Sequence, residues 1–109
     1  MAITSTQSKA PASVANVAVG RYLDTGTVAA YTITTGFKPR YVRVINLTDR
    51  NEYEWFEGMA DASAYKKVAA GTGTLITTLG VTVSASGFSV GIDLDVLVSS
   101  SQISWIAMG

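Results

Sequence analysis

Glu52 and Glu54 stand two apart in the run Glu52-Tyr53-Glu54-Trp55-Phe56. On an extended strand that spacing puts both carboxylates on one face, about 7 Å apart. Such a separation superficially suits glycoside hydrolysis by paired carboxylates. The same alternation describes the solvated face of an amphipathic strand with Tyr53 and Trp55 turned inward, and this second reading is the expectation here. Nucleophilic serine chemistry needs a base beside the hydroxyl. The chain has no histidine, which leaves Lys66 and Lys67 as substitutes, and no catalytic serine is expected. Asp93 and Asp95, with Asp61, could offer oxygens to calcium. They supply only part of the 6 to 8 ligands and of the glycine-punctuated acidic loop that calcium takes. Gly71-Thr72-Gly73-Thr74 lacks the Gly-Lys-Ser/Thr of a phosphate-binding loop and reads as a turn. Asn46-Leu47-Thr48 matches the glycosylation sequon by chance. The expectation is therefore a protein with no catalytic residues, no metal and no cofactor.

These groups must be positioned by β-structure. The stretch Gly36 to Trp55 opens on a Gly-Phe-Lys-Pro turn and alternates through Tyr41–Leu47. It then turns at Thr48-Asp49-Arg50-Asn51 and enters a second β-branched and aromatic run, the signature of a hairpin. From Thr27 onward strand candidates recur: Val28–Thr34, Tyr41–Leu47, Glu52–Gly58, Tyr65–Ala69, Thr74–Thr78, Val81–Ser84, Phe88–Ile92, Leu94–Val98 and Ile103–Met108. Gly36, Pro39, Gly71, Gly73, Gly80 and Gly87 fall between them, and Gly91 stands one residue inside the end of its run. Strands spaced this way predict an all-β fold, an antiparallel β-sandwich or a jelly-roll-like barrel. Gly58 to Ala70 is alanine- and lysine-rich, but Asp61 and Ser63 interrupt its apolar face, so it reads mostly as loop with at most one helical turn.

Composition narrows the class. The 109 residues fit one domain. Apolar residues make up 48% and charged residues 15%, and the eight basic side chains balance the eight acidic ones. A chain so weakly charged has little self-repulsion, which favours association. Without a basic excess, nucleic acid is not an expected partner. Cysteine is absent, which excludes disulfides and thiolate metal sites. No apolar run reaches the ~18 to 20 residues of a membrane helix, and no signal-peptide pattern opens the chain. Synthesis in a cytoplasm is expected.

Residues 1–26 differ from 27–109. They are rich in Ser, Thr, Ala and Val, with no aromatic before Tyr22. Small side chains bury too little area to offset backbone ordering of about 1 to 2 kcal/mol per residue. The segment reads either as a frayed terminus or as an extended arm that orders on another subunit, with Val14, Val17 and Val19 forming a short strand there. Trp55 and Phe56 are consecutive, so they point to opposite faces of their strand. One of them stands outside the core unless both faces are covered. Candidate interface residues are thus Val14, Val17, Val19, Tyr22, Tyr53, Trp55, Phe56 and Tyr65, since exposed aromatics anchor protein contacts and also stack on sugars.

The run GFKPRYVRVINLTDRNEYEW, the later GTGTLITTLGVTVSASGFSVGIDLDV and the closing ISWIA resemble small virion structural proteins of tailed bacteriophages. The likeness spans about residues 33 to 108 and rests on the Gly36–Pro39 turn, the Gly87–Gly91 strand and Trp105–Ala107. It implies a β-sandwich without enzymatic activity. The short chain is most similar to capsid decoration (cement) proteins, which clamp neighbouring subunits of the major capsid protein on the virion surface, often as homo-trimers. A tail-fibre or host-glycan-recognition module is the alternative.

Overall fold

A computed structural model describes residues 16–23, 30–91 and 101–109. Among these residues eight strands form one antiparallel sheet: β1 (Val17–Leu23), β2 (Tyr31–Thr34), β3 (Tyr41–Asn46), β4 (Asn51–Phe56), β5 (Ser63–Lys67), β6 (Gly73–Val83), β7 (Gly87–Val90) and β8 (Gln102–Met108). Their spatial order is β1-β8-β3-β4-β5-β6-β7-β2. The sheet curls so that its two halves face each other, which confirms the expected all-β, sandwich- or barrel-like class. Trp105 of β8 meets Phe88 of β7 edge-on at 5.4 Å, and Tyr22 of β1 stacks on Tyr31 of β2 at 3.8 Å.

The hairpin expected from Gly36 to Trp55 is β3–β4, with Val42 opposite Trp55 and Val44 opposite Tyr53. Its turn is organised by Asn46, which is fully buried. The Asn46 side-chain oxygen accepts from the Thr48 and Asp49 amides at 3.0 and 2.8 Å, an Asx-type turn that lets Arg50 take a left-handed φ of 62°. Burial of Asn46 also closes the sequon to any glycan in the folded chain. The same turn grips β8, since the Gln102 amide donates to the Thr48 hydroxyl at 3.0 Å.

Two local expectations change. Thr74–Thr78 and Val81–Ser84 are not separate strands, because β6 runs through Gly80. Opposite the adjacent pair Ser63 and Ala64, β6 spends the extra residues Thr77 to Gly80, since Ser63 pairs with Val81 and Ala64 with Ile76. Such a bulge bends a sheet, and here it lies between the two halves. Glycine fits because a Cβ at Gly80 would stand 2.5 Å from the Ser63 carbonyl oxygen. The Tyr53 hydroxyl donates to the bulged Leu79 carbonyl at 3.0 Å, tying β4 to β6. The segment 58–70 holds no helical turn, and Ser63–Lys67 is a strand. Alternation wins there: Ala64 is buried while Tyr65 is exposed.

The core lies between the two halves. It comprises Ile33, Val42, Val44, Tyr53, Trp55, Ala64, Val81, Phe88, Val90, Ile103 and Ala107. Of the expected arm, residues 16–23 are described. Val17–Leu23 is an edge strand of the chain's own sheet, paired with β8 from Val17–Met108 to Leu23–Gln102. Gly20 makes this possible, because the Trp105 indole occupies the space that a Cβ would fill. Residues 1–15, the 26/27 boundary and the strand candidate Leu94–Val98 lie outside the described residues.

Candidate assembly surface

Strand parity divides the interface candidates. Trp55 is 4% exposed and Phe56 48%, so the consecutive rings do point to opposite faces. Tyr53 is fully buried beside Trp55 on the inner face. Both belong to the core and neither offers a ring to a partner. Tyr22 is half-buried on the inner face against Tyr31. Val17, Val19, Phe56 and Tyr65 are exposed on the outer face. Val14 lies outside the described residues.

On that outer face the registers line up rows of side chains. Val17, Met108, Tyr41 and Phe56 form one row across β1, β8, β3 and β4. The next row runs Val19, Ile106, Arg43, Glu54, Tyr65 and Leu75. One corner of the sheet is therefore apolar, built from Val17, Val19, Ile106, Met108 and Phe56. Ile106 and Met108 escaped the sequence reading because both faces of β8 are apolar: Ile103, Trp105 and Ala107 alternate with Ser104, Ile106 and Met108. Without its pairing partners, parity in β8 cannot be assigned.

A polar centre adjoins this corner. The Tyr41 hydroxyl donates to Glu54 Oε2 at 2.7 Å, and its ring lies 5.2 Å from that of Phe56. Arg43 donates through Nε and Nη2 to Glu52 Oε2. Each carboxylate of the Glu52/Glu54 pair thus has a partner on the outer face, opposite the inward Tyr53 and Trp55, and is half-buried rather than fully solvated. Beside Arg43 a shallow groove of about 220 Å³ is lined also by Ile45, Ser104, Trp105 and Ile106.

Burial, then the hydrogen bond to the Glu54 carboxylate, pushes the Tyr41 phenol up to about 12. A raised folded-state value means that this stabilisation is whole below the ordinary tyrosine value near 10. It drains away as pH rises from there through about 12. Unfolding measured across that alkaline window should show a decline that Tyr41→Phe flattens. An unchanged slope in the variant would refute the coupling.

Other chemical candidates resolve by position. Gly87-Phe88-Ser89-Val90-Gly91 spells the Gly-x-Ser-x-Gly elbow sequence, which the reading of the serines above passed over. An elbow needs its serine at a sharp strand-to-helix turn, whereas Ser89 sits mid-β7 between Thr32 and Thr82. Gly71 closes the β5–β6 turn, its amide donating to the Val68 carbonyl at 2.8 Å. Asp61 is exposed, Asp93 and Asp95 lie outside the described residues, and no group of three acidic side chains gathers among those described. No protein-family profile, curated protein or solved structure matches this chain.

Proposed function

We propose that this chain is a capsid decoration protein of a tailed bacteriophage, which binds the assembled lattice of the major capsid protein and stabilises it without catalysis. The observation that carries the reading is the apolar corner. Val17, Val19, Phe56 and Met108 are 52%, 72%, 48% and 39% exposed on a sheet whose opposite face is a packed core. Clustered exposed apolar side chains with a polar border favour a protein contact. The resemblance of the turn and strand motifs to small virion proteins supplies the partner class. The glycan-binding alternative is weaker, because Tyr53 and Trp55, two of the rings that would stack on sugar, are in the core.

The mechanism is mass action. A ligand that binds only the assembled shell stabilises it by RT ln(1 + [L]/Kd) per site. Repetition over a symmetric lattice multiplies weak contacts. Particles prepared without this protein should lose shell integrity at lower temperature and lower salt than complete particles. Phe56→Ala together with Met108→Ala should leave the chain folded and reduce its occupancy on particles. Equal robustness of particles with and without the protein, or a position on the tail in averaged micrographs, overturns the proposal.

A further inference from the structure

Among the described residues β1 and β2 are the two edges of the sheet, and the open edge of β1 is the longer pairing surface. The Gly109 amide donates to the Asn16 carbonyl at 2.8 Å, one step beyond the Val17–Met108 pair. Hydrogen-bonded and non-bonded pairs alternate along an antiparallel ladder. Asn16, Ala18, Gly20 and Tyr22 therefore turn their backbone groups to β8, and Val17, Val19, Arg21 and Leu23 turn theirs outward. On β2 the Thr35 amide donates to the Ser86 carbonyl at 2.9 Å. The same counting directs Ile33 and Tyr31 to β7 and leaves Thr32 and Thr34, among the described residues of β2, facing out.

We infer that β1 pairs antiparallel with β1 of a second copy, about a twofold axis through Gly20. This register alone uses all four outward residues of each strand. Val17 stands opposite the partner's Leu23, and Val19 opposite the partner's Arg21. Four such pairs with two bonds each give about eight backbone hydrogen bonds. A heterologous β1-to-β2 contact offers about half as many, because β2 has two outward residues among those described. The side chains at the new seam, Val17, Val19 and Leu23, are 52%, 72% and 60% exposed. An unpaired apolar edge of this kind is a template for another strand. The formal charge of zero adds no repulsion between copies. The axis extends the sheet across both copies, so the apolar corners lie on one continuous outer surface.

The pairing is a property of the purified chain and is measured without particles, so its failure is separate from failure of the capsid reading. Sedimentation equilibrium of the full chain is expected to give a monomer–dimer equilibrium. Val19→Lys places two like-charge pairs against Arg21 across the axis and should weaken the dimer ~10-fold or more, whereas Val19→Glu places two opposite-charge pairs and should preserve or tighten it. Amide exchange keeps the test clear of misfolding: Ala18 and Tyr22, bonded to β8, stay protected in both variants. The amides of Val19 and Arg21 gain protection with concentration in the parent chain only if the edge is paired. A monomer at every concentration, a trimer indifferent to Val19, or equal weakening by Lys and Glu overturns the inference.

Discussion

Trp55→Ala is expected to lower the unfolding free energy by about 3 to 5 kcal/mol. The indole is 4% exposed, faces Val42 across the β3–β4 ladder, and points its N–H at the Ala60 carbonyl, 3.4 Å away. Truncation removes a large apolar surface from water-free contact and leaves a cavity between strands that hydrogen bonding prevents from collapsing. Against a typical total of 5 to 15 kcal/mol, that is a large share of the stability of the chain. The neighbouring Phe56→Ala supplies the contrast. Phe56 is 48% exposed, so its removal should change stability by under ~1 kcal/mol while weakening the proposed attachment to the capsid. Urea unfolding of the two variants separates the roles. Similar stability losses at both positions would mean that the parity of β4 does not divide core from surface.

Gly80→Val should be nearly as damaging, for a different reason. The Cβ would stand 2.5 Å from the Ser63 carbonyl oxygen and 2.6 Å from its carbon, both backbone atoms. Neither side yields easily. The Gly80 amide is bonded to the Ala62 carbonyl at 3.0 Å, and the Gly80 carbonyl accepts from Gly91 at 2.9 Å. Overpacking of a well-filled site costs about 1 to 3 kcal/mol, and here it also loosens the bulge that turns the sheet. Thermal unfolding reads the loss. Tyr53→Phe on the same background tests the tie to the Leu79 carbonyl, because its effect shrinks if the bulge has already moved. A Gly80→Val protein as stable as the parent would show that the bulge is adaptable.

The β3–β4 hairpin was legible in the sequence because its information is local: alternation on both strands and a four-residue polar turn. The opposite placement of Trp55 and Phe56 followed from the strand period alone. Long-range features were hidden. Gly80 reads as a strand end because glycine serves equally at turns and at bulges, and only the pairing of Ser63 and Ala64 distinguishes them. Residues 17–23 look too small to hold a place, yet the small size of Gly20 is what admits the Trp105 ring. Their strand exists because β8 supplies the partner, and nothing within residues 1–26 encodes β8. The interface candidates divided for the same reason: Tyr53 and Trp55 share a face with the core, while Ile106 and Met108 come into view only once β8 is placed between β1 and β3.

The place of β8 also sets an order of events during synthesis. A strand drawn from residues 102–108 sits between one from residues 17–23 and one from residues 41–46. Strands β3 to β7 pair sequentially and can zip together as they leave the ribosome. Among the described strands β1 has no pairing partner until residues 102–108 emerge, so its exposed valines must wait through most of translation. Closing so distant a contact is slow, and an unpaired apolar edge is aggregation-prone while it waits. Ribosome-bound chains truncated before residue 101 should therefore carry a protease-sensitive β1, and overproduction should favour insoluble chains when elongation is slowed near the 3′ end of the message.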